Sequence, residues 1–124
     1  MRKLKLPGRE KDRPRLNEDD VELIKSQGVD EIKDQARRMV KRYISRPGIE
    51  KDVPSAGNPI YKALHACNCS TRRELSRAHK IPANGTLSDR DVDSIVNLLT
   101  RWVFREYNFF KEEREMQQKS VGDF

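Results

Sequence analysis

The C-terminal part of the chain carries an apolar repeat that one face of a long helix would bury. Apolar residues recur there at spacings of three and four, at Val92, Ile95, Val96, Leu99, Trp102, Val103, Phe109 and Phe110. This spacing places them on one side of an α-helix. No segment of the sequence alternates apolar and polar residues with the period of two that is typical of a half-buried strand. The repeat therefore predicts an all-α fold around a long C-terminal helix.

Four shorter helices are predicted before the long one from residues that begin and end helices. Their starts are marked by Asn17, Asp30, Asn58 and Thr71, which are residue types that cap helix N-termini. Three of their ends are marked by Gly28, by Pro47-Gly48 and by Pro82. Ser88 caps the long helix. We therefore expect a compact, orthogonal bundle of about five helices.

The positive charge of the chain is concentrated near its N-terminus. The formal net charge is +6, and residues 1–16 carry seven cations against two acids, so five of the six net charges lie there. Residues 1–15 also have little apolar periodicity and two prolines. We therefore divide the chain into a flexible, disordered basic arm at 1–15, a helical domain at 16–112 and a fraying C-terminal tail at 113–124. Such an arm suits nucleic acid or an acidic partner, or else serves solubility alone.

Composition argues against a membrane protein and a secreted one. Charged residues make up 37% of the chain and hydrophobic residues 35%, and no run of about 18 apolar residues occurs. A secretory signal has an apolar segment after its basic start, and the basic N-terminus of this chain is not followed by one. Cys67 and Cys69 are too close in sequence to staple a fold. We therefore expect a cytoplasmic protein with reduced thiols.

Two helices are predicted to present basic faces. Lys33, Arg37 and Lys41 recur every fourth residue on the second helix, opposite its apolar stripe. The fourth helix adds Arg72, Arg73, Arg77 and Lys80. Cations spaced along a helix suit backbone phosphates. Because aromatic residues do not interleave with these cations, the pattern favours DNA duplexes or structured RNA over stacking on a single strand. The same residues would also fit an ordinary solvated surface.

Both histidines and both cysteines of the chain lie within one short stretch. His65, Cys67, Cys69 and His79 offer the imidazole and thiolate ligands that zinc prefers. Their spacing matches no standard zinc finger. The alternative is that Cys67 fills an apolar position and His79 is a half-buried residue with a hydrogen-bond partner. The sequence thus leaves open a small helical domain that binds zinc or a small ligand, and otherwise requires no cofactor.

A protein-interaction module is the third hypothesis. The loop at 46–58 is long enough to suggest binding, and Phe109 and Phe110 would cover a homodimer or partner contact if they were exposed. Enzyme signatures are absent: the chain has no glycine-rich phosphate loop, nucleophile elbow or His-Glu-x-x-His motif. Of the three hypotheses, we favour a non-enzymatic nucleic-acid-binding accessory protein.

From about Leu16 to Val103 the chain resembles a small prokaryotic family of unknown function. The family pattern has a Gly-His-Pro segment, then His-Ala-Thr-Ala-Thr-Cys-Cys-Arg-x-Cys-Leu, then Trp-His-x-Ile-Pro, an acidic cap and an Ile-Val…Trp helix. The matching residues are Gly57, Pro59, His65, Ala66, Arg72, Leu75, His79, Ile81, Pro82, Leu87, Ile95, Val96 and Trp102. The resemblance implies a shared fold and core, and it supplies no activity.

The chain departs from that pattern at the cysteines. The three motif cysteines fall at Ser70, Thr71 and Glu74, whereas Cys67 and Cys69 occupy the two threonine positions. The motif tryptophan is Ala78, and the histidine of Gly-His-Pro is Asn58. If the family's cysteines hold a metal, this chain has moved the ligands or lost the site.

Overall fold

The computed structural model describes residues 2–10, 12–47 and 52–122, with side chains to residue 116. Four helices run in chain order: α1 (Glu18–Tyr43), α2 (Pro59–Ala66), α3 (Arg72–His79) and α4 (Asp89–Gly122). Within these ranges the chain forms no strand. The prediction of an all-α fold with a long C-terminal helix is therefore confirmed.

Side-chain caps begin each helix where the sequence predicts them. Asn17 accepts from the Asp20 backbone N–H, and Asp20 accepts in return from the Asn17 N–H, which forms a reciprocal capping box. Asn58 and Thr71 cap α2 and α3. The Ser88 hydroxyl accepts from the Asp91 N–H at the start of α4. These local hydrogen bonds fix the starts of the helices that carry the candidate site.

The structure has four helices where the sequence predicts about five, and the difference lies at Gly28. The two segments on either side of Gly28 form one element, α1, with a kink at that residue. Gly28 has φ +81° and ψ 175°, so its backbone is not helical. The glycine interrupts the helix as expected, but helical structure resumes at once with no intervening loop.

The core lies where α4 packs against α1 and α2. Ile95, Leu99 and Trp102 of α4 are almost completely buried, as the apolar repeat predicts. Beyond the core, α4 continues through residues 113–122, which the sequence assigns to a fraying tail. Arg114 of this extension pairs with Glu18 at the start of α1.

The N-terminal segment lies against the helices along much of its length. Leu4 belongs to the hydrophobic core and is 4% exposed. Arg101 and Arg105 of α4 donate to the carbonyl groups of Leu4 and Pro7. Several residues of 2–10 and 12–15, such as Leu4, Pro7 and Arg9, thus have defined partners, although the sequence assigns them to a disordered arm. Lys11 lies outside the described residues.

Candidate functional site

The exposed face of α3 carries three cations. Thr71 caps this short helix, and Leu75 turns into the core. Arg73, Arg77 and Lys80 are exposed, and none of them forms an ion pair with another described residue. The packing of Leu75 therefore leaves the charged side of the helix to solvent.

The start of the chain adds two lysines beside α3. The Arg2 guanidinium donates to the carbonyl of His79, the last residue of α3. Lys5 lines a small cavity of about 280 Å³ together with Ala78 and His79. Lys3 and Lys5 are exposed. We call the five cations of this region the α3 surface: Lys3, Lys5, Arg73, Arg77 and Lys80.

The acid of α3 does not neutralise this surface. Glu74 accepts hydrogen bonds from the backbone N–H and the hydroxyl of Ser70, immediately before the helix. Its carboxylate is therefore held at the N-terminal end, where it also complements the helix dipole. The α3 surface keeps an excess of positive charge.

The cations of α1 are partly neutralised. Arg37 pairs with Asp93 of α4, with 2.7 Å between guanidinium and carboxylate. Lys33 and Lys41 are exposed and form no ion pair within the described ranges. The structure thus places Lys3 and Lys5 beside the cations of α3. By contrast, one of the predicted α1 cations, Arg37, is paired with an acid of α4.

Arg72 does not belong to a basic surface, and the sequence-based assignment of this residue is corrected here. It is 2% exposed. Its guanidinium donates to backbone carbonyls from two separate parts of the chain, those of Ser45, Pro82, Asn84 and Gly85. Arg72 therefore ties the end of α1 to the loop after α3, and this role leaves it no access to a solvent partner.

The predicted metal ligands have other contacts. His65 Nε2 lies 2.9 Å from the Val53 carbonyl oxygen, and His79 Nε2 lies 2.7 Å from that of Cys67. Cys67 and Cys69 are buried. In the part of the chain that the structure describes, no group of three or more His, Cys, Asp or Glu side chains is arranged to hold a metal ion. The zinc hypothesis stays a prediction.

Burial also determines the chemistry of the two thiols. Desolvation raises the pKa of Cys67 from 9.0 to about 12, against smaller opposing effects of nearby arginines. Desolvation likewise raises the pKa of Cys69, with a further contribution from Cys67. Because the thiolate is the nucleophile and the metal ligand, both side chains are poorly reactive at neutral pH.

Sequence reasoning missed a buried carboxylate on α4. Glu106 has a side chain only 1% exposed, and its carboxylate lies 2.9 Å from Arg9, 3.5 Å from Arg15 and 3.3 Å from Arg105. A signal was present, because position 106 falls within the apolar stripe between Trp102 and Phe110. An acid in such a position needs cationic partners.

A polar pocket between α1 and α2 was also missed. Tyr43 and Tyr61 meet there edge to face, with ring centroids 5.9 Å apart and hydroxyl oxygens 3.4 Å apart. Arg38 and Arg42 line the same pocket. The sequence shows Arg42 beside Tyr43, but Tyr61 is brought to them only by the packing of the two helices.

Comparison with known proteins gives one family match. The model of a domain of unknown function (DUF4186) matches residues 6–104. No curated protein and no solved structure matches the chain. In the described part of the chain, even the long α4 lacks the apolar stretch that a membrane-crossing helix needs.

Proposed function

The chain belongs to the DUF4186 family of domains of unknown function, and from that premise we propose that it is a non-enzymatic protein that binds nucleic acid through its α3 surface. The family supplies no activity, so the proposal depends on the chemistry of the chain itself. A polyanion is the partner that a cluster of unneutralised cations suits.

One observation carries this proposal. Arg73, Arg77 and Lys80 are exposed on one short helix, with no acidic partner among the described residues and with Lys3 and Lys5 beside them. Isolated surface cations are ordinary, but most of the other basic side chains near the N-terminus are already engaged. Arg9 and Arg15 pair with Glu106, and Arg13 donates to Asn68. The positive charge that the N-terminal segment leaves for a partner therefore lies at Lys3 and Lys5, which belong to the α3 surface.

The residue types favour contacts to phosphates over contacts to bases. No Phe, Tyr or Trp occurs in α3, and its one imidazole, that of His79, contacts the Cys67 carbonyl, so the helix offers no row of rings on which unpaired bases could stack. Arginine and lysine contacts to phosphate oxygens carry no sequence information by themselves. We expect binding to DNA or RNA duplexes with little sequence preference. Lys33 and Lys41 of α1 are secondary candidates.

Salt dependence of binding is the direct test. The affinity for a fluorescently labelled duplex is measured by anisotropy at several salt concentrations, with DNA and RNA in separate series. The logarithm of the association constant should fall linearly with the logarithm of salt concentration, by about 0.9 per phosphate neutralised. If neither the DNA duplex nor the RNA duplex forms a complex at low salt, the proposal is wrong.

A charge-neutralising variant locates the surface. The triple variant Arg73→Gln, Arg77→Gln and Lys80→Asn removes three cations; asparagine suits position 80, where φ is +59°. It should bind at least tenfold more weakly and reduce the salt slope by about one per residue. The matched control neutralises the exposed cations Lys25, Arg90 and Lys111. Equal losses in the two variants would show that net charge, and not the α3 surface, determines binding.

A further inference from the structure

The pocket between α1 and α2 combines positive charge, hydroxyl groups and an aromatic ring. Its volume is about 450 Å³, which lies within the range of ~300–1,000 Å³ that is typical of small-molecule sites. Its walls come from the second half of α1 and the start of α2: Gln35, Arg38, Met39, Arg42, Tyr43, Asn58 and Tyr61. It is separate from the α3 surface, which shares none of these residues.

The charge of the pocket is positive. Arg38 and Arg42 lie one turn apart on α1 and are both exposed. Arg42 forms no ion pair within the described chain, and Arg38 pairs with Glu31 at 3.2 Å where both side chains are largely exposed. An exposed pair of this kind is weak. Tyr61 adds no negative charge, because its hydrogen bond with Tyr43 and its partial burial raise its pKa above the usual 10.0. An anion is therefore the ligand that the rim favours.

The interior offers further polar groups. When one phenolic hydroxyl of the Tyr43–Tyr61 pair donates to the other, the second O–H proton has no acceptor within the described chain. Asn58 uses its side-chain oxygen to cap α2, which leaves its amide nitrogen as a donor. Tyr43 is 8% exposed, whereas Tyr61 is only partly buried. Tyr61 is thus the ring that a planar ligand would contact.

We propose that this pocket binds a nucleoside monophosphate group, with its phosphate at Arg38 and Arg42 and its base against Tyr61. A guanidinium pair suits a phosphate because its donors match the phosphate oxygens. A partly exposed tyrosine ring suits a planar heterocycle. The group has two sources, a free nucleotide or the phosphorylated end of a nucleic acid strand. The inference does not depend on the α3 surface.

Calorimetric titration of the full chain with AMP tests the pocket. AMP should bind with a dissociation constant below about 1 mM. Adenosine, which lacks the phosphate, and inorganic phosphate, which lacks the ring, should each bind at least tenfold more weakly. Absence of AMP binding, or equal binding of AMP and either fragment, would overturn the proposal.

Two variants assign the binding to this pocket. Arg42→Gln should weaken AMP binding at least tenfold, and Tyr61→Ala should weaken it by a similar factor through loss of the ring. Arg46→Gln is the matched control, because Arg46 is also an exposed arginine but lines a different cavity with Lys41 and Thr86; it should change the affinity less than twofold. An unchanged affinity in Arg42→Gln, or an equal loss in Arg46→Gln, would place the site elsewhere. Circular dichroism of each variant should match that of the wild type, which shows that a loss of affinity is not due to unfolding.

Short single-stranded oligonucleotides distinguish the two sources. They are titrated into the Arg73→Gln, Arg77→Gln and Lys80→Asn variant, so that the α3 surface contributes little. If the ligand is a strand end, an oligonucleotide with a 5′-phosphate should bind at least tenfold more tightly than its 5′-hydroxyl form. If it is a free nucleotide, AMP should bind while both oligonucleotides bind weakly. Absence of AMP binding would overturn this inference for both sources, without affecting the α3 surface.

Discussion

The side chains of His65, Cys67, Cys69 and His79 lie close in sequence, but each is used for packing or for a local hydrogen bond. Both histidines contact backbone carbonyl oxygens, which ties α2 and α3 to neighbouring segments. Both cysteines behave as small apolar residues in the core. The burial of the two thiols, which the sequence does not specify, determines their reactivity.

Burial of the thiols predicts a low reactivity that unfolding should restore. Iodoacetamide should not modify Cys67 or Cys69 in the native protein at pH 8, whereas both should react quickly in denaturant, as counted by mass spectrometry. A pKa that is raised from 9.0 to about 12 on folding makes the Cys67 contribution to stability fully present below pH 9. That contribution is lost as the pH rises from 9 towards 12, because only the unfolded chain then readily loses the proton.

If iodoacetamide does not modify the thiols in denaturant, they are already oxidised or otherwise modified. Rapid modification of the native protein would contradict the burial that the structure shows. The same reagent thus tests the zinc hypothesis indirectly, because a metal-bound thiolate would be protected for a different reason and released by a chelator.

Neighbouring residues of the same type show what the sequence cannot decide. Arg72 and Arg73 are adjacent, yet the first is buried and the second exposed. The carbonyl groups that hold Arg72 include those of residue 45 and of residues 82, 84 and 85, so its role depends on packing between distant segments. The exposed cations of α3 could be predicted from helical periodicity alone, whereas Arg72 could not.

Helices are the scale at which the sequence is most informative. The caps at Asn17, Asn58, Thr71 and Ser88 are local interactions, and each occurs where the residue pattern predicts it. The kink of α1 is harder to predict, because glycine ends some helices and only interrupts others. In the structure α4 contacts both segments of α1, at Glu18 before Gly28 and at Arg37 after it, and such contacts between distant residues cannot be seen in local sequence patterns.

Replacement of Gly28 should destabilise α1 through its backbone alone. A Cβ at this position would meet nothing within 4 Å, but φ is +81° with an extended ψ, a combination that is almost restricted to glycine. Gly28→Ala should therefore lower the free energy of unfolding by about 1–3 kcal/mol, measured by urea denaturation.

Gly8→Ala is the matched control, because a Cβ there also meets nothing within 4 Å and the residue does not have a positive φ. It should change stability by less than about 0.5 kcal/mol. A Gly28→Ala variant as stable as the wild type would mean that α1 straightens at no cost when glycine is removed.

At the scale of the whole molecule, the basic N-terminal segment is divided between two tasks. Its described arginines face the protein: Arg2 contacts the end of α3, Arg13 contacts Asn68, and Arg9 and Arg15 pair with the buried Glu106. Lys3 and Lys5 face solvent. Composition indicates the charge of this segment, but it does not show that a single acid in α4 would pair with two of its arginines. The partner lies about a hundred residues away in the sequence, beyond the reach of local patterns.

Removal of residues 1–10 should therefore destabilise the whole protein. The truncation exposes the surface that Leu4 covers, and burying a leucine side chain contributes about 1.5–3 kcal/mol. It also removes Arg9 from the almost fully buried carboxylate of Glu106. A buried charge that loses a partner destabilises the folded state. We expect the free energy of unfolding in urea to fall by at least about 2 kcal/mol.

The double variant Lys3→Gln and Lys5→Gln separates the two tasks of the segment. It removes charge without touching Leu4 or Arg9, so stability should stay within about 0.5 kcal/mol of the wild type, while duplex binding weakens and the salt slope falls by about two. A truncated protein with wild-type stability would instead show that the segment is an appended arm. In that case Arg2, Arg9 and Arg15 would be available to the polyanion, and the truncation would weaken duplex binding far more than the lysine variant does.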